Sequence, residues 1–303
     1  MNNFIKRTLS AAVFGTIVLS TFLVDTPYYF ALVFMLLTAI SVFEYYRLGQ
    51  SSIKSTSVAV AASILLYTTL FFFFQGNKIF NWFLFAYSTV FTFAIIRELF
   101  IQEGNPITNW GYLCRSQIMI VVPLALTNGI FAKDKFFMLA FILIIWIHDT
   151  GAYIVGTLTS KRKKGNHKMF PRVSPAKSWE GLIGALIFDL AAGLLFYHIG
   201  WTDHFSLTSE PWIDSMLFAL TIGIFGTFGD LLESLFKRTL GVKDSGNILP
   251  GHGGMLDRLD SLLLAVPVVY FIFMYLADFF VITLPVLDVP IKIIELRNIL
   301  PLP

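Results

Sequence analysis

Nine stretches of this chain are too long and too apolar to be the core elements of a water-soluble domain, and they set its architecture. They run at roughly 8–24, 28–43, 57–75, 79–96, 118–132, 136–157, 181–201, 213–229 and 262–281. Each approaches the ~20 residues that a helix needs to cross ~30 Å of hydrocarbon. A helix is the only open-chain structure that satisfies its own backbone there. The run at 118–132 is the weakest, being short and carrying Pro123. Composition agrees: 56% of residues are hydrophobic, 14% are charged, and the mean hydropathy is +0.73. Ordinary soluble domains are only ~45–50% apolar and ~25% charged. The expected fold class is all-α, a polytopic integral membrane protein with about nine transmembrane helices and cytoplasmic catalytic loops.

Lys6 and Arg7 precede the first run, but no small-residue cleavage site follows it, since it ends Phe22-Leu23-Val24-Asp25. An uncleaved first span is the expected reading. The single cysteine, Cys114, excludes an intramolecular disulfide and a multi-cysteine zinc site. With Lys6 and Arg7 in the cytoplasm, the connections 44–56, 97–117, 158–180 and 230–260 lie inside and hold most of the later Lys and Arg. The opposite connections carry only Lys78, Lys133 and Lys135. Three parts are expected: 1–135, variable transmembrane helices; 136–281, a catalytic transmembrane unit with loops 158–180 and 230–260; and 282–303, an interfacial tail broken by prolines.

Chemistry-bearing residues gather at the cytoplasmic ends of the later spans. On a helix, Asp149, Ala152, Tyr153 and Gly156 share one face. That face suits a polar groove, or alternatively a packing seam of small residues. Lys161 to Lys164 form a basic run, which attraction to anionic lipid explains. Next, Ser174, Pro175, Lys177, Ser178 and Glu180 lead into a helix expected to begin near Gly181. Hydroxyls and a lysine at a helix N-terminus form a phosphate seat, although Ser-Pro turns opening helices are common.

The densest segment is 226–261. Asp230, Glu233, Ser234 and Lys237 fall at i, i+3, i+4 and i+7, a pattern that a plain amphipathic surface helix also produces. It continues through Lys243-Asp244-Ser245-Gly246 into Pro250-Gly251-His252-Gly253-Gly254, which suits a backbone anion nest. Asp257, Asp260 and Ser261 then open the last span. Two carboxylates on one helical face near a third, Asp230, can hold Mg²⁺ together with substrate phosphates. Pairing of Asp257 with Arg258 or Lys243 is the alternative for that carboxylate.

These segments resemble the signature of the phosphatidate cytidylyltransferases (CDP-diacylglycerol synthases). The resemblance is carried by Ser234-x-x-Lys237-Arg238, Lys243-Asp244-Ser245-Gly246, Pro250-Gly251-His252-Gly253-Gly254 and Leu256-Asp257-Arg258-x-Asp260-Ser261. Upstream, Asp149-Thr150-Gly151-Ala152-Tyr153 and Ser174-Pro175-x-Lys177-x-x-Glu180-Gly181 are similar to further segments of that family. His148 stands where Asn is usual and Ser178 where Thr is usual. The resemblance spans roughly 140–275, whereas 1–135 shares only its hydrophobicity.

The resemblance implies transfer of CMP from CTP to phosphatidate, giving CDP-diacylglycerol and pyrophosphate. It implies Mg²⁺, with a second, monovalent cation as an option, in a homodimer of a bacterial inner membrane with the site facing the cytoplasm. Partners would be CTP, phosphatidate and membrane lipid, with no nucleic acid. The implied catalytic set is Asp230, Lys237, Arg238, Lys243, Asp257, Arg258 and Asp260, with Asp230, Asp257 and Asp260 on the metal. Substrate would be held by Asp149, Tyr153, Ser174, Lys177, Ser178, Glu180, Ser234, Asp244, Ser245, Gly251, His252, Gly253, Gly254 and Ser261. The lipid phosphate is itself a nucleophile, so no covalent enzyme intermediate is needed. A CTP-using lipid kinase, or a cytidylyltransferase for another lipid phosphate, would carry similar residues. An anion transporter fits less well, since its ionisable residues would sit at mid-span.

Overall fold

The runs are apolar all round, so breakers and caps in the connections, rather than periodicity, decide where each helix begins. The computed structural model describes residues 3–24, 26–49, 51–101, 105–161, 165–202, 207–208, 210–251 and 253–276. The order is α1 (Asn3–Leu23), α2 (Pro27–Leu48), α3 (Ile53–Phe74), α4 (Phe80–Arg97), α5 (Pro106–Ser116), α6 (Val122–Lys133) and α7 (Lys135–Ser160). There follow β1 (Lys168–Phe170), β2 (Ser174–Ser178), α8 (Trp179–His198), α9 (Pro211–Thr239), α10 (Leu256–Leu259) and α11 (Leu262–Val269). Proline occupies the first turn of α2, α5 and α9, where no backbone donor is needed. Ser52, Asn105, Asp134 and Ser178 cap α3, α5, α7 and α8 by accepting from free backbone N–H groups.

Among the described residues seven helical units are long and apolar enough to cross a membrane: α2, α3, α4 with its continuation to Phe100, α5 joined to α6, α7, α8 and α9. The apolar part of α1, Thr8–Leu23, is shorter. Beyond α11 the helix widens and runs through Leu276. The rest of the expected last span and the expected interfacial tail, 282–303, lie outside the described residues.

The structure corrects four boundaries. The weak run at 118–132 is part of one unit, Pro106–Lys133, with a wide turn over Gln117–Val121 just before Pro123, which cannot donate to the ladder. Helix α9 continues ten residues past the predicted end at 229, so Asp230 to Lys237 are helical and the loop shortens to 240–255. The 158–180 connection is not all loop: β1 and β2 pair antiparallel there, Lys168 opposite Ser178. Finally, α8 starts at Trp179 rather than near Gly181, because the Ser178 hydroxyl accepts from Gly181 N–H.

Phenylalanines fill the interior. Phe30 stacks on Phe34 at 4.3 Å and on Phe131 at 4.2 Å, while Phe137 stacks on Phe218 at 4.0 Å. Outward-facing apolar groups such as Trp82, Phe85 and Phe93 on α4 meet the surroundings instead. What brings the polar ends together is a set of glycines on α8 and α9. A Cβ on Gly193 would stand 2.7 Å from the carbonyl oxygen of Ser215, and one on Gly229 2.5 Å from that of Asp260. A Cβ on Gly223 would collide with Asp189 and His148. Small residues at these contacts let helix backbones approach closely.

Gly193→Ala should therefore destabilise the protein by about 1–3 kcal/mol, since a backbone carbonyl cannot move aside as a side chain can. Gly15→Ala, whose Cβ would meet only Trp146 at 3.8 Å, should stay within about 0.5 kcal/mol. Thermal unfolding of both variants in one mild detergent checks the pair.

Candidate active site

The last turns of α9 carry the first half of the site. Their inner face presents Asp230, Glu233, Ser234 and Lys237, while Leu232 and Leu235 point outward. Lys237 is buried and its ammonium bridges two helices: it pairs with Glu233 one turn back and donates to Asp257 Oδ1 at 2.6 Å. Asp257 Oδ2 also accepts from Ser245 N–H at 2.9 Å and from Gly254 N–H at 2.7 Å. Burial raises the Asp257 pKa, but Lys237 and these two N–H groups outweigh it and hold the carboxyl below the usual carboxylate range.

Asp260 has the opposite surroundings. Its Oδ1 accepts from the N–H of Ser261 at 2.7 Å. Burial is the largest influence on this carboxyl, followed by repulsion from Asp230, Glu233 and Asp149, and together they push its pKa well above the usual range. Asp230 is partly relieved: Lys177 donates to its Oδ2 at 2.7 Å, and the Ser234 hydroxyl donates to its Oδ1 at 3.1 Å. Lys177 reaches over from β2, and the hairpin register aims it at α9. The acids thus separate into a pair, Glu233 and Asp257, that shares Lys237 and a group of Asp260, Asp230 and Asp149 in which Asp230 pairs with Lys177. Among the described residues no three acidic, His or Cys side chains converge at metal-ligand spacing. Asp257 in particular has its oxygens bonded to Lys237, Ser245 and Gly254.

Asp149 lines two cavities. The first, of about 190 Å³, is bounded by His148, Tyr153, Lys177, Ser178 and Thr227 among others. Asp149, Ala152, Tyr153 and Gly156 all face it, as their helical spacing predicts. The second, of about 320 Å³, is bounded by Ser10 and Phe14 of α1, by Trp146, and by Asp257, Arg258, Asp260 and Ser261.

Other expected site residues are engaged in architecture. Glu180 accepts from both the backbone N–H and Nδ1 of His167, the latter at 2.6 Å, and so ties the hairpin to α8. Arg238 donates to the carbonyls of Val173 and Val242, clamping the hairpin to the loop after α9. Ser174 opens β2, and Lys243 and Asp244 are exposed. Gly251 and Gly253 have φ of 79° and 84°, the left-handed region that favours glycine. The N–H of Gly254 and of Ser245 serve Asp257, so this part of the expected anion nest holds the protein's own carboxylate. His252 lies outside the described residues.

A buried triplet escaped the sequence reading. His148 Nδ1 lies 2.7 Å from Asp189 Oδ2, and its Nε2 lies 2.7 Å from Thr227 Oγ1. The helix pattern hides it, because its members come from α7, α8 and α9 and meet only through Gly223.

Comparison with known proteins gives a consistent picture. The Cytidylyltransferase family model matches residues 5–276. A Haemophilus influenzae protein named phosphatidate cytidylyltransferase is 33% identical over 292 residues, 86% of this chain and 96% of its own length. Proteins of the same name from Bacillus subtilis and Staphylococcus haemolyticus are 42% and 47% identical over 130 and 125 residues, in each case 44% of their own length.

The two groups of acids should respond oppositely to pH. A raised folded-state pKa at Asp260 means that stability is lost as pH rises from the ordinary carboxylate range through the folded value. Asp260→Asn should therefore raise the unfolding midpoint at pH 8 in chelator by a few degrees. The lowered pKa of Asp257 gives stability that is present above the ordinary range and lost as pH falls through the folded value. Asp257→Asn should lower the midpoint at pH 8, costing about 1.5–3 kcal/mol, the worth of a hydrogen bond to a charged group. Unfolding scans between pH 4 and pH 8 read both signs.

Proposed function

Because this chain belongs to the cytidylyltransferase family, we propose that it is an integral membrane phosphatidate cytidylyltransferase, moving CMP from CTP to phosphatidate and releasing pyrophosphate. The observation that supports this most is that Asp149 lines two cavities, one bounded by Lys177 and Ser178 and the other by Arg258 and Asp260. Two substrates that must meet, one of them a polyanion needing cations, suit that arrangement. The cytoplasmic orientation is part of the proposal and rests on the distribution of Lys and Arg.

In this reading an oxygen of the phosphatidate phosphate attacks the α-phosphorus of CTP. The new P–O bond forms as the bond from the α-phosphorus to the β-bridging oxygen breaks, and pyrophosphate leaves with that electron pair. The lipid oxygen supplies the nucleophile, so the protein's part is to bring two polyanions together and neutralise them. Lys177 and Ser178 hold phosphate oxygens in the first cavity. Arg258 holds them in the second, which is lined on one side by Ala11 and Phe14 of α1, apolar surface suited to the acyl chains. Thr227 and His148 shape the wall of the first.

The donor chemistry fits Mg²⁺: Asp260 is repelled by Asp230, Glu233 and Asp149, and hard carboxylate oxygens are what that ion takes. Asp230 and Asp260 would hold it together with substrate phosphates and water, since Mg²⁺ needs only one or two carboxylates. When bound, the ion would neutralise the transferring phosphates. Asp257, with its oxygens taken by Lys237, Ser245 and Gly254, orients the start of α10.

Purified protein with CTP, Mg²⁺ and phosphatidate should release pyrophosphate and form CDP-diacylglycerol, with no label left on the protein from labelled CTP. Formation of CDP instead would identify a kinase. Lys177→Gln should lower kcat/KM for CTP by at least about tenfold, roughly 1.4 kcal/mol, whereas Lys161→Gln should change it little. Mg²⁺ should raise the unfolding midpoint of the wild type more than that of Asp260→Asn.

A further inference from the structure

Helix α2 buries an acid that the proposed reaction does not use. Glu44 is 3% exposed near the end of an apolar span, a costly place for a carboxylate unless it is well bonded. Its partners come from the far end of the chain. Oε2 accepts from the Ser245 hydroxyl at 3.2 Å and from Leu256 N–H at 3.0 Å. Ser245 is thereby gripped twice, its hydroxyl by Glu44 and its N–H by Asp257. Leu256 immediately precedes Asp257, so the carboxylate on α2 ties together the turn at 245–246 and the start of α10.

Two motif glycines are shaped around this side chain. A Cβ on Gly246 would run into Glu44 Oε1, with Cδ at 2.9 Å and Cγ at 3.3 Å, and it would meet nothing else as closely. A Cβ on Gly254 would strike the Ser245 hydroxyl and stand 2.5 Å from Glu44 Oε2. Neither glycine is among those with positive φ. At both, the need is for space, which Glu44 fills at Gly246 and shares with the Ser245 hydroxyl at Gly254.

We infer that Glu44 is a positioning residue for cytidylyl transfer: it sets the register of the 245–246 turn against α10, and so the direction of Asp257 and Asp260. The inference rests on the proposed function, and it assigns a role in the site to the N-terminal half of the chain.

The test uses the full-length protein in detergent with CTP, Mg²⁺ and phosphatidate. Glu44→Ala should lower kcat at least about tenfold while KM for CTP and phosphatidate stays within about threefold. Glu44→Gln keeps an acceptor oxygen for both donors and should recover kcat to within about threefold of wild type. Gly246→Ala should also lower kcat, and the Glu44→Ala/Gly246→Ala double variant should be no worse than the poorer single one, because the clash has lost its partner. Amide exchange across 243–256 should quicken in Glu44→Ala and Gly246→Ala but not in Glu44→Gln. Wild-type kcat in Glu44→Ala, Glu44→Gln as inactive as Glu44→Ala, or fully additive losses in the double variant would each overturn the inference. Absence of transfer by the wild type would instead overturn the proposed function, and exchange alone would then decide whether the clamp exists.

Discussion

The rest of the site depends on the ammonium of Lys237. It is buried between Glu233 on α9 and Asp257 on α10 and pairs with both. Removing a buried charge from such a pair leaves its partner unpaired at a cost of about 3–5 kcal/mol. Asp257 in turn orders the backbone of Ser245 and Gly254. A single lysine on a membrane helix thus fixes, through Asp257, two points of the loop 240–255. The spacing of Lys237 from Glu233 keeps the arrangement local on one side, while the reach to Asp257 makes it tertiary on the other.

Beside that bridge stands a second set of acids. Asp260 is repelled by Asp230, Glu233 and Asp149, while Lys177 pairs with Asp230 and also favours the charge on Asp149. Like charges at close range destabilise a fold, so such a cluster costs stability. The contrast between Asp257 and Asp260, one turn apart, shows that position on a helix face says little about role. The donors supplied by other segments decide it.

Close helix contacts depend on glycine placement. Gly223 and Gly229 let α8 and the 260–261 turn lie against α9, which carries Thr227 and Asp230. In a bilayer, where hydrophobic burial does not drive helices together, such close contacts are the main source of attraction.

Much was legible in the residues alone. Runs of about twenty apolar residues allow only membrane helices, because an unsatisfied backbone is not tolerated in hydrocarbon. The helical spacing of Asp149 to Gly156 placed one wall of a cavity, and that of Asp230 to Lys237 placed an inner face, because side chains three and four apart share a side whatever they meet. Helix ends were less legible: α9 runs unbroken ten residues past the expected end of its span, through the face that spacing marks from Asp230 to Lys237, whose buried partners spacing cannot reveal. Which carboxylate would be neutralised, which glycines give room rather than bind phosphate, and why Glu44 and the His148–Asp189–Thr227 triplet exist were decided only in three dimensions. Each depends on groups roughly 12 to 212 residues apart, taken from the hydrogen-bonded pairs themselves. Local sequence sets the direction in which a side chain points, but the partner it meets is set by how the helices pack.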